Sequence, residues 1–245
     1  MAIANRGQEI TDKTTTTLQT LDRGLVTLGH VARSREGVTV AEIARFLGVH
    51  RAIAYRIVAT LETHGMVVRS KEGRVFLGIG IPAIANQFMP QFKVLAEPLL
   101  RDLAADTDAT AFVALADGVD CVAILVEEPS GQLIRVGYRV GSRHPLERGA
   151  AGIAILAGRA PRPDDPETVR QARAEGYSLT RGQLQKGAIG VAVRLRSADA
   201  NPGTQEFSIG VVAMEDLDTA RAIASLQAAA RTLDGLLGAT GDTEA

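Results

Sequence analysis

The N-terminal part contains the segment Thr39-Val-Ala-Glu-Ile-Ala-Arg-Phe-Leu-Gly-Val-His-Arg-Ala-Ile-Ala-Tyr-Arg-Ile-Val-Ala-Thr-Leu-Glu-Thr-His-Gly65, from which its fold can be predicted. Thr39 followed by Glu42 has the pattern of a capping box, in which each side chain bonds an unpaired backbone amide at a helix start. The helix that it opens is short and ends at Leu47-Gly48. A second helix is predicted from about Arg51 to His64, with Gly65 as its C-terminal cap. Two short helices joined by a tight glycine-bearing turn are typical of a helix-turn-helix.

The second of these helices has an apolar face and a polar face. At about 100° per residue, the apolar arc is formed by Ile53, Ala54, Ile57, Val58 and Leu61. The other side carries Arg51, Ala52, Tyr55, Arg56, Ala59 and Thr63. A narrow face with two guanidinium groups and a phenol fits the DNA major groove, about 12 Å wide, where Arg reaches guanine or phosphate. The same pattern is also typical of an ordinary amphipathic helix with a solvated basic face.

Segments on either side of the two helices complete a winged helix. A first helix to about Ala32 is predicted by leucines at helical spacing, which we expect in the core: Leu18, Leu21, Leu25 and Leu28. After Gly65 the pattern predicts a hairpin with strands over 66–70 and 74–77, in which Gly73 supplies the positive φ of the turn. Lys71 and Arg74 are expected at its tip, where they are placed to touch phosphates or the minor groove.

Charge is distributed unevenly along the 245 residues, although the net charge is only −1. Residues 1–80 carry 11 Lys and Arg against 7 Asp and Glu, whereas residues 81–245 carry 16 against 21. This asymmetry is typical of a chain of which one part meets phosphates. A hydrophobic content of 46% is enough for a real core. The sequence has no apolar run of about 18 residues and no signal-peptide pattern, which predicts a cytoplasmic protein without a membrane span.

Residues 18–80 resemble the DNA-binding domain of the IclR family of bacterial transcriptional regulators. The matching stretches are Leu25 to Leu28, 39–45, Leu47-Gly-Val49, Tyr55-Arg56, 59–65 and Phe76-Leu-Gly78. The resemblance implies a double-stranded DNA operator as partner. The residues expected to contact it are Thr39, Arg51, Ala52, Tyr55, Arg56, Lys71 and Arg74. Where the family usually has Pro, then Ser and Thr, this chain has His50, Ala52 and Ile53. Since the helical phase points Ile53 into the core, Ala52 is the more telling loss, and we expect the operator sequence to differ from that of relatives.

The remaining segments define the domain organisation. Polar residues 1–17 predict a flexible arm, and residues 18–80 form the winged helix-turn-helix domain. A linker helix is expected over 81–90, where Pro90 interrupts it; in the family this helix joins the two domains. Residues 91–245 then form the second domain, which opens with a helix marked by Leu95, Leu99, Leu100 and Leu103. Pro98 lies near the start of that helix or kinks it.

The C-terminal part reads as an α+β domain of GAF-like type. Strands are predicted over 111–116, 119–127, 133–139, 187–196 and 207–214, and Asp117-Gly118 is a strong two-residue turn signal. Helices are predicted over 149–157, 166–175 and 218–237. Mostly antiparallel strands with helices set to one side are typical of this class.

This half also resembles the effector-binding domain of the same family. The motifs are residues 141–157, with Pro145-Leu146 and Ala150-Ala-Gly152, and Gly176-Tyr177 with Gly187 and Ala192. The resemblance places an effector near the helix that opens at Gly149, closed over by the Thr180 to Gly187 loop. The small residues there leave bare amides that suit a carboxylate, although they also suit close helix–sheet packing. The expected contacts of a small organic-acid effector are Val136, His144, Arg148, Gly149, Ala150, Ala151, Arg181, Gln183 and Gly187.

Two departures from the family concern this pocket. The family usually carries acidic residues after Gly176-Tyr177, whereas this chain has Thr180, Arg181, Gly182 and Gln183. The change favours a more anionic effector or a degenerate pocket. The segment 158–175 is also shorter than is usual, which opens the pocket or alters a subunit contact.

The common catalytic motifs are absent from the sequence. The sequence has no GxSxG, no Walker loop and no strand–GxGxxG–helix. The four histidines and Cys121 have no metal-ligand spacing, and Cys121 reads as a small core residue. We therefore expect no catalytic residues, metal or cofactor. The sequence thus predicts a homo-oligomeric regulator, a dimer or a dimer of dimers, that reads a pseudo-palindromic operator. Repression is favoured over activation as its mode of regulation. The alternatives are a DNA-binding scaffold that needs no effector, or an enzyme in residues 91–245 built from His144, Arg148 and Cys121.

Overall fold

A computed structural model of the chain describes residues 18–130, 137–196, 205–214 and 216–236. The expected arm over 1–17, Val136 and most of the strand predicted over 133–139 lie outside the described residues. The chain divides into two compact units, residues 1–89 and 90–245.

The N-terminal unit is a helix-turn-helix followed by a hairpin. Its elements are α1 (Gln19–Ala32), β1 (Val38–Thr39), α2 (Val40–Phe46), α3 (Arg51–Thr63), β2 (Val67–Arg69), β3 (Arg74–Leu77) and α4 (Gly80–Ala85). The three strands form an antiparallel sheet in the order β1-β3-β2. The short strand β1, which the sequence did not predict, ties the start of α2 to the hairpin because Thr39 pairs with Arg74.

The predicted capping box is present at the start of α2. The amide of Thr39 donates to Glu42 Oε2 over 2.7 Å, and the amide of Glu42 donates to Thr39 Oγ1 over 3.2 Å. These hydrogen bonds from Thr39 hold the pKa of Glu42 below its usual value. The box therefore fixes the end of β1 and the first turn of α2 as one rigid corner.

The core of the N-terminal unit differs from the prediction in which helical faces it uses. Its buried side chains include Val31, Val38, Val40, Ile43, Ala54, Val58 and Val75. The expected leucine row was wrong for three of its four members: Leu18, Leu21 and Leu25 are 75%, 60% and 60% exposed, whereas Leu28 is partly buried and packs against the core. Thr27 and Val31 are the buried residues of α1. Ile53 was also placed wrongly, because it is 37% exposed at the edge of the buried arc. Helical spacing reveals an apolar stripe but not which stripe meets the core.

The expected interruption of the linker helix at Pro90 was wrong. Helix α4 ends at Ala85, and α5 (Phe88–Thr107) begins three residues later and contains both Pro90 and Pro98. Pro90 is accommodated because it lies in the first turn, where a helix residue has no intrahelical partner for its amide. Of α5, residues from Pro90 onwards belong to the C-terminal unit.

The C-terminal unit is built on one antiparallel sheet. Its elements after α5 are β4 (Thr110–Asp117), β5 (Asp120–Glu127), β6 (Arg143–Pro145), α6 (Ala150–Ala157), α7 (Glu167–Glu175), β7 (Ser178–Arg181), β8 (Ala188–Leu195), β9 (Phe207–Met214) and α8 (Thr219–Leu236). The strand order is β6-β5-β4-β9-β8-β7, and all neighbours are antiparallel. Residues 137–139 are not a strand, contrary to the prediction.

Helices cover both faces of this sheet, which corrects the expectation that they lie on one side. On β8, Ala192 packs in the same buried cluster as Ala150 and Ala154 of α6. The alternate residues Val191 and Val193 are buried as well, and α8 packs along the same strand. Successive side chains of a strand point to opposite faces, so α6 and α8 lie on opposite sides.

Candidate nucleic-acid interface and effector pocket

The outward face of α3 carries the side chains that the sequence assigned to DNA contact. Arg51, Ala52, Tyr55 and Arg56 are exposed, while Ala54, Ile57 and Val58 are buried against the rest of the unit. The first turn of α3 has no acidic residue. This end of the helix therefore presents positive charge to solvent, from the helix dipole as well as from Arg51 and Arg56.

Two guanidinium groups lie near the ring of Tyr55. Arg51 Nη2 donates to the Tyr55 hydroxyl over 3.4 Å, and Arg51 Cζ lies 5.5 Å from the ring centroid. Arg69 at the end of β2 places its own Cζ 5.5 Å from the same centroid and pairs with Glu62 of α3 at 2.9 Å. Arg69 was not predicted from the sequence, because a lone charge that ends a short strand belongs to no motif.

The wing is a tight turn in which the two predicted cations have different positions. Gly73 has a φ of +79°, as the turn requires, and Lys71 is exposed at the tip. Arg74 is half-buried, and its Nη1 donates to the carbonyl of Gly37 over 3.0 Å. Arg74 therefore holds the base of the wing to the loop before β1, rather than extending from the tip as predicted. The hydroxyl of Thr39 is likewise engaged, by the capping box.

A cavity of about 290 Å³ opens in the C-terminal unit between the sheet, the start of α6 and the loop after β7. It is lined by Phe112, Gly137, Tyr138, Ser142, Arg143, His144, Ala150, Ala151, Thr180, Gln183, Leu184, Gln185, Ala188, Gly190 and Val212. Of the predicted effector contacts, His144, Ala150, Ala151 and Gln183 line it. Arg148, Gly149, Arg181 and Gly187 do not line the cavity.

One wall of the cavity is aromatic and carries a polar pair. The rings of Phe112 and Tyr138 lie 4.8 Å apart at 60°, and the Tyr138 hydroxyl lies 3.5 Å from His144 Nε2. His144 Nδ1 lies 3.0 Å from the Pro145 carbonyl, which assigns the ring proton of a neutral imidazole to Nδ1. Nε2 then accepts from the phenol. Burial raises the pKa of Tyr138, so its hydroxyl stays protonated and available as a donor.

At the start of α6, the sequence predicted bare amides, but the amide of Gly149 is engaged. The amide of Gly149 donates to Gln183 Oε1 over 2.9 Å, and Arg148 donates to the backbone carbonyl of Gln183. These two hydrogen bonds connect the loop after β7 to the start of α6. Gly149 itself has a φ of +77°, and a Cβ there would lie 2.6 Å from Leu184 Cδ1. Glycine is therefore required at this position by both conformation and space.

The charge of Arg143, the arginine among the cavity-lining residues, is paired with carboxylates, so the interior is less basic than its sequence suggests. Arg143 lines the cavity, but its guanidinium donates to Asp117 over 2.6 Å and to Asp120 over 3.0 Å. Arg148 is engaged by the Gln183 carbonyl. The departure at Arg181 thus adds one exposed cation beyond the cavity wall and does not change the interior.

Cys121 and His144 are cross-strand partners on β5 and β6, which brings together two residues of the enzyme alternative. The thiol is fully buried, and burial raises its pKa to about 12. A nucleophilic cysteine needs a lowered pKa, since the thiolate is the reactive form. The prediction that Cys121 is a core residue is confirmed by its burial.

Within the described residues, no group of three or more His, Cys, Asp or Glu side chains is arranged to hold a metal ion. The same part of the chain contains no helix that is both long and apolar enough to cross a bilayer.

The chain is similar in sequence to known transcriptional regulators. Residues 20–71 match the family model of the IclR helix-turn-helix domain. The transcriptional repressor IclR of Escherichia coli K12 is 29% identical over 161 residues, which cover 63% of this chain and 59% of that protein. The transcriptional regulator TtgV of Pseudomonas putida is 28% identical over 174 residues, or 70% of this chain and 65% of that protein. The chain thus matches less than two thirds of the length of these curated relatives.

Solved structures share the fold over nearly the whole chain. An IclR-family putative regulator from Rhodococcus sp. aligns with a TM-score of 0.60 and 20% identity, covering 95% of this chain and 98% of that one. An IclR homologue from Microbacterium hydrocarbonoxydans, solved in complex with 4-hydroxybenzoate, aligns with a TM-score of 0.53 and 20% identity, covering 90% and 100%. The predicted fold class, a helix-turn-helix domain and a helix-and-antiparallel-sheet domain, is confirmed. Residues 20–71 thus form an IclR-type helix-turn-helix domain, and the chain is similar to IclR-family regulators in sequence over 63% of its length and in fold over nearly all of it.

Proposed function

We propose that this protein is a DNA-binding transcriptional regulator, acting as a repressor, that presents α3 to the major groove. The observation that carries the proposal is the exposed face of Arg51, Tyr55 and Arg56 in a helix-turn-helix that matches the family model. Lys71 at the tip of the wing is the cation placed to meet the flanking backbone. Two of the similar curated proteins are named as repressors, which supports the sign of regulation.

A symmetric homo-oligomer is part of this proposal. A single α3 covers only a few base pairs, so operators read by helix-turn-helix proteins are usually two half-sites about one helical turn apart. A dimer, or a dimer of dimers, of this chain would supply the two copies of α3.

The test is operator binding by the full chain and by variants of α3. DNA selected from a random library by the purified protein supplies the operator, and gel-shift titration then gives the affinity. Arg51→Ala and Arg56→Ala are each expected to weaken binding by about 1–3 kcal/mol without changing the unfolding temperature. Arg101→Ala, an exposed arginine of α5, removes the same charge elsewhere and serves as the control. Equal affinities for parent and both α3 variants would contradict this assignment of the face.

The cavity of the C-terminal unit is proposed to bind a small organic acid that bears an aromatic ring. Phe112 and Tyr138 offer a face for a ring, and the Tyr138 hydroxyl, which lies 3.5 Å from His144 Nε2, can turn its proton from the imidazole to a ligand. A volume of about 290 Å³ suits a molecule with a single ring. A homologue of the same fold was solved with 4-hydroxybenzoate, an aromatic acid. His144, Ala150, Ala151 and Gln183 are the proposed contacts, whereas Arg148 and Gly149 act through the loop that they hold.

Calorimetry against a panel of aromatic and aliphatic acids tests the ligand class. We expect heat from a monocyclic aromatic acid, weaker heat with Tyr138→Phe, and a change in operator affinity of about 1–3 kcal/mol when the acid is present. The second candidate is a regulator whose C-terminal unit needs no ligand, and it is favoured by the engaged Gly149 amide. No heat from any acid, with operator affinity unchanged, would support that candidate instead.

A further inference from the structure

Arg69 lies on β2 and not on α3, but its side chain contacts Tyr55 on the exposed face of α3. It ends strand β2, and its side chain is 31% exposed, which is less than expected for a residue free to reach a phosphate. Its guanidinium is held by Glu62 of α3 at 2.9 Å and lies over the Tyr55 ring with Cζ 5.5 Å from the centroid. Its Nε is buried and finds no hydrogen-bond acceptor among the described residues. Two contacts, one to a carboxylate and one to a ring, therefore hold this group in position.

The contacts form a chain that ends at a proposed DNA-reading side chain. Glu62 holds Arg69, Arg69 covers one part of the Tyr55 ring, and the Tyr55 hydroxyl accepts from Arg51 Nη2 over 3.4 Å. Arg51 also lies near the ring, with Cζ 5.5 Å from its centroid. A tyrosine on an exposed helix face normally samples several rotamers, and a long arginine beside it samples more. Contact with Arg69 restricts the ring, and the ring in turn restricts Arg51.

We infer that Arg69 is a positioning residue for DNA recognition, which orders Tyr55 and Arg51 of α3 without itself contacting the duplex. This inference rests on the proposed DNA-binding function. Ordering the side chains before binding lowers the conformational entropy that is lost when the complex forms. Glu62 contributes to this positioning, because its ion pair with Arg69 offsets the charge of the guanidinium and holds it over the Tyr55 ring.

The contact between Arg69 and Tyr55 depends on the planar shape of the guanidinium as well as on its charge. A planar guanidinium stacks on an aromatic face, whereas an ammonium group is a compact, strongly hydrated charge. Arg69→Lys keeps the charge and the possibility of a pair with Glu62, but loses the planar contact with Tyr55. A cation–π contact at an exposed site corresponds to a change of about twofold to fivefold in an equilibrium constant.

The experiment measures operator affinity at several salt concentrations for the full chain. The variants are Arg69→Lys, Arg69→Gln, Tyr55→Leu and Tyr55→Leu combined with Arg69→Gln. A phosphate contact contributes about 0.9 to the slope of log K against log salt, whereas a positioning residue contributes none. We expect Arg69→Lys and Arg69→Gln to weaken binding about twofold to fivefold with the parent's slope. In the Tyr55→Leu background, Arg69→Gln should have no further effect, since the ring through which it acts is gone.

Two controls separate this inference from a purely structural role and from the proposed function. Unfolding temperatures identify any variant that is destabilised, and Arg101→Gln removes a charge from α5 as the matched substitution. Arg51→Ala should weaken binding and lower the slope by about 1 if the proposed function is right. If Arg51→Ala does so while Arg69→Lys binds like the parent, the positioning role is wrong and the proposed function stands. A reduced slope for Arg69→Gln would make Arg69 a direct phosphate contact instead. A parent chain that selects no DNA overturns both.

Discussion

At the scale of single residues, Gly149 controls the geometry of the pocket. Its backbone, with φ of +77° and ψ of +153°, lies in a region that side chains rarely adopt. A Cβ there would meet Leu184 at 2.6 Å and His144 Cε1 at 3.3 Å, so it would disturb both the loop and the cavity wall. The absence of a side chain at position 149 therefore serves backbone conformation and close packing against Leu184.

Gly149→Ala is expected to lower the free energy of unfolding of the C-terminal unit by about 1–3 kcal/mol, because it adds backbone strain and a contact with Leu184. Urea denaturation measures the change. Gly141→Ala is the matched control, since Gly141 also has a positive φ, +86°, but a Cβ there meets nothing within 4 Å. Equal losses in the two variants would mean that contact with Leu184 contributes nothing.

At the scale of elements, the capping box shows a local pattern that decides local structure. The box could be predicted because Thr39 and Glu42 are three residues apart, and both hydrogen bonds form within that span. Strand β7 could not be predicted, because its buried residues Ser178 and Thr180 are polar. Their burial depends on distant partners, and for Ser178 this partner is the carbonyl of Ala150. The exposed leucines of α1 and the position of Arg74 were missed for a similar reason. Which stripe is buried and which carbonyl an arginine reaches depend on tertiary contacts.

The cavity was predictable in outline and not in detail. The small residues of α6 marked its place, since Ala150 and Ala151 line it. Tyr138, Phe112 and Thr180, which give it an aromatic and hydroxyl character, come from three separate segments and share no sequence motif. The pairing of Arg143 with two carboxylates also depends on strands that meet only in the folded chain.

Thr39→Val is expected to destabilise the N-terminal unit by about 1 kcal/mol at neutral pH through loss of the cap. The Val75 methyl signals, fully buried in this unit, report its unfolding by urea. Thr60→Val, whose hydroxyl bonds back to the Arg56 carbonyl of its own helix, is the control.

The same box gives a pH dependence of known sign. Because the folded pKa of Glu42 is lowered, its stabilisation is fully present above the unfolded value of about 4.3 and is lost as the pH falls through the lower folded value. The parent should therefore lose more stability than Thr39→Val when the pH falls from 5 to about 3. Parallel curves for the two proteins would contradict this.

At the scale of the whole molecule, the two units have separate cores and opposite charge balance. Residues 1–80 have an excess of basic residues and residues 81–245 an excess of acidic ones. The acidic excess lies in the unit with the cavity, so the basic surface is concentrated on the unit with α3. This distribution limits electrostatic attraction of DNA to one part of the chain.

An aromatic acid that binds the cavity should stabilise the C-terminal unit selectively. At 100 times its dissociation constant it adds about 2.7 kcal/mol to the unit that binds it. In urea titrations, the signals of buried Val211 should shift to higher urea while those of Val75 follow their own transition. Tyr138→Phe should reduce the shift, and an equal shift of both signals would show that the two units unfold together.

The buried thiol has a practical consequence, because Cys121 is the sole cysteine of the sequence. With a pKa of about 12 and no solvent exposure, it is shielded from alkylating and disulfide reagents while the sheet is intact. Its rate of modification therefore measures how often the strands around it open. The wild-type chain thus carries a built-in chemical reporter of transient opening, with no label to introduce.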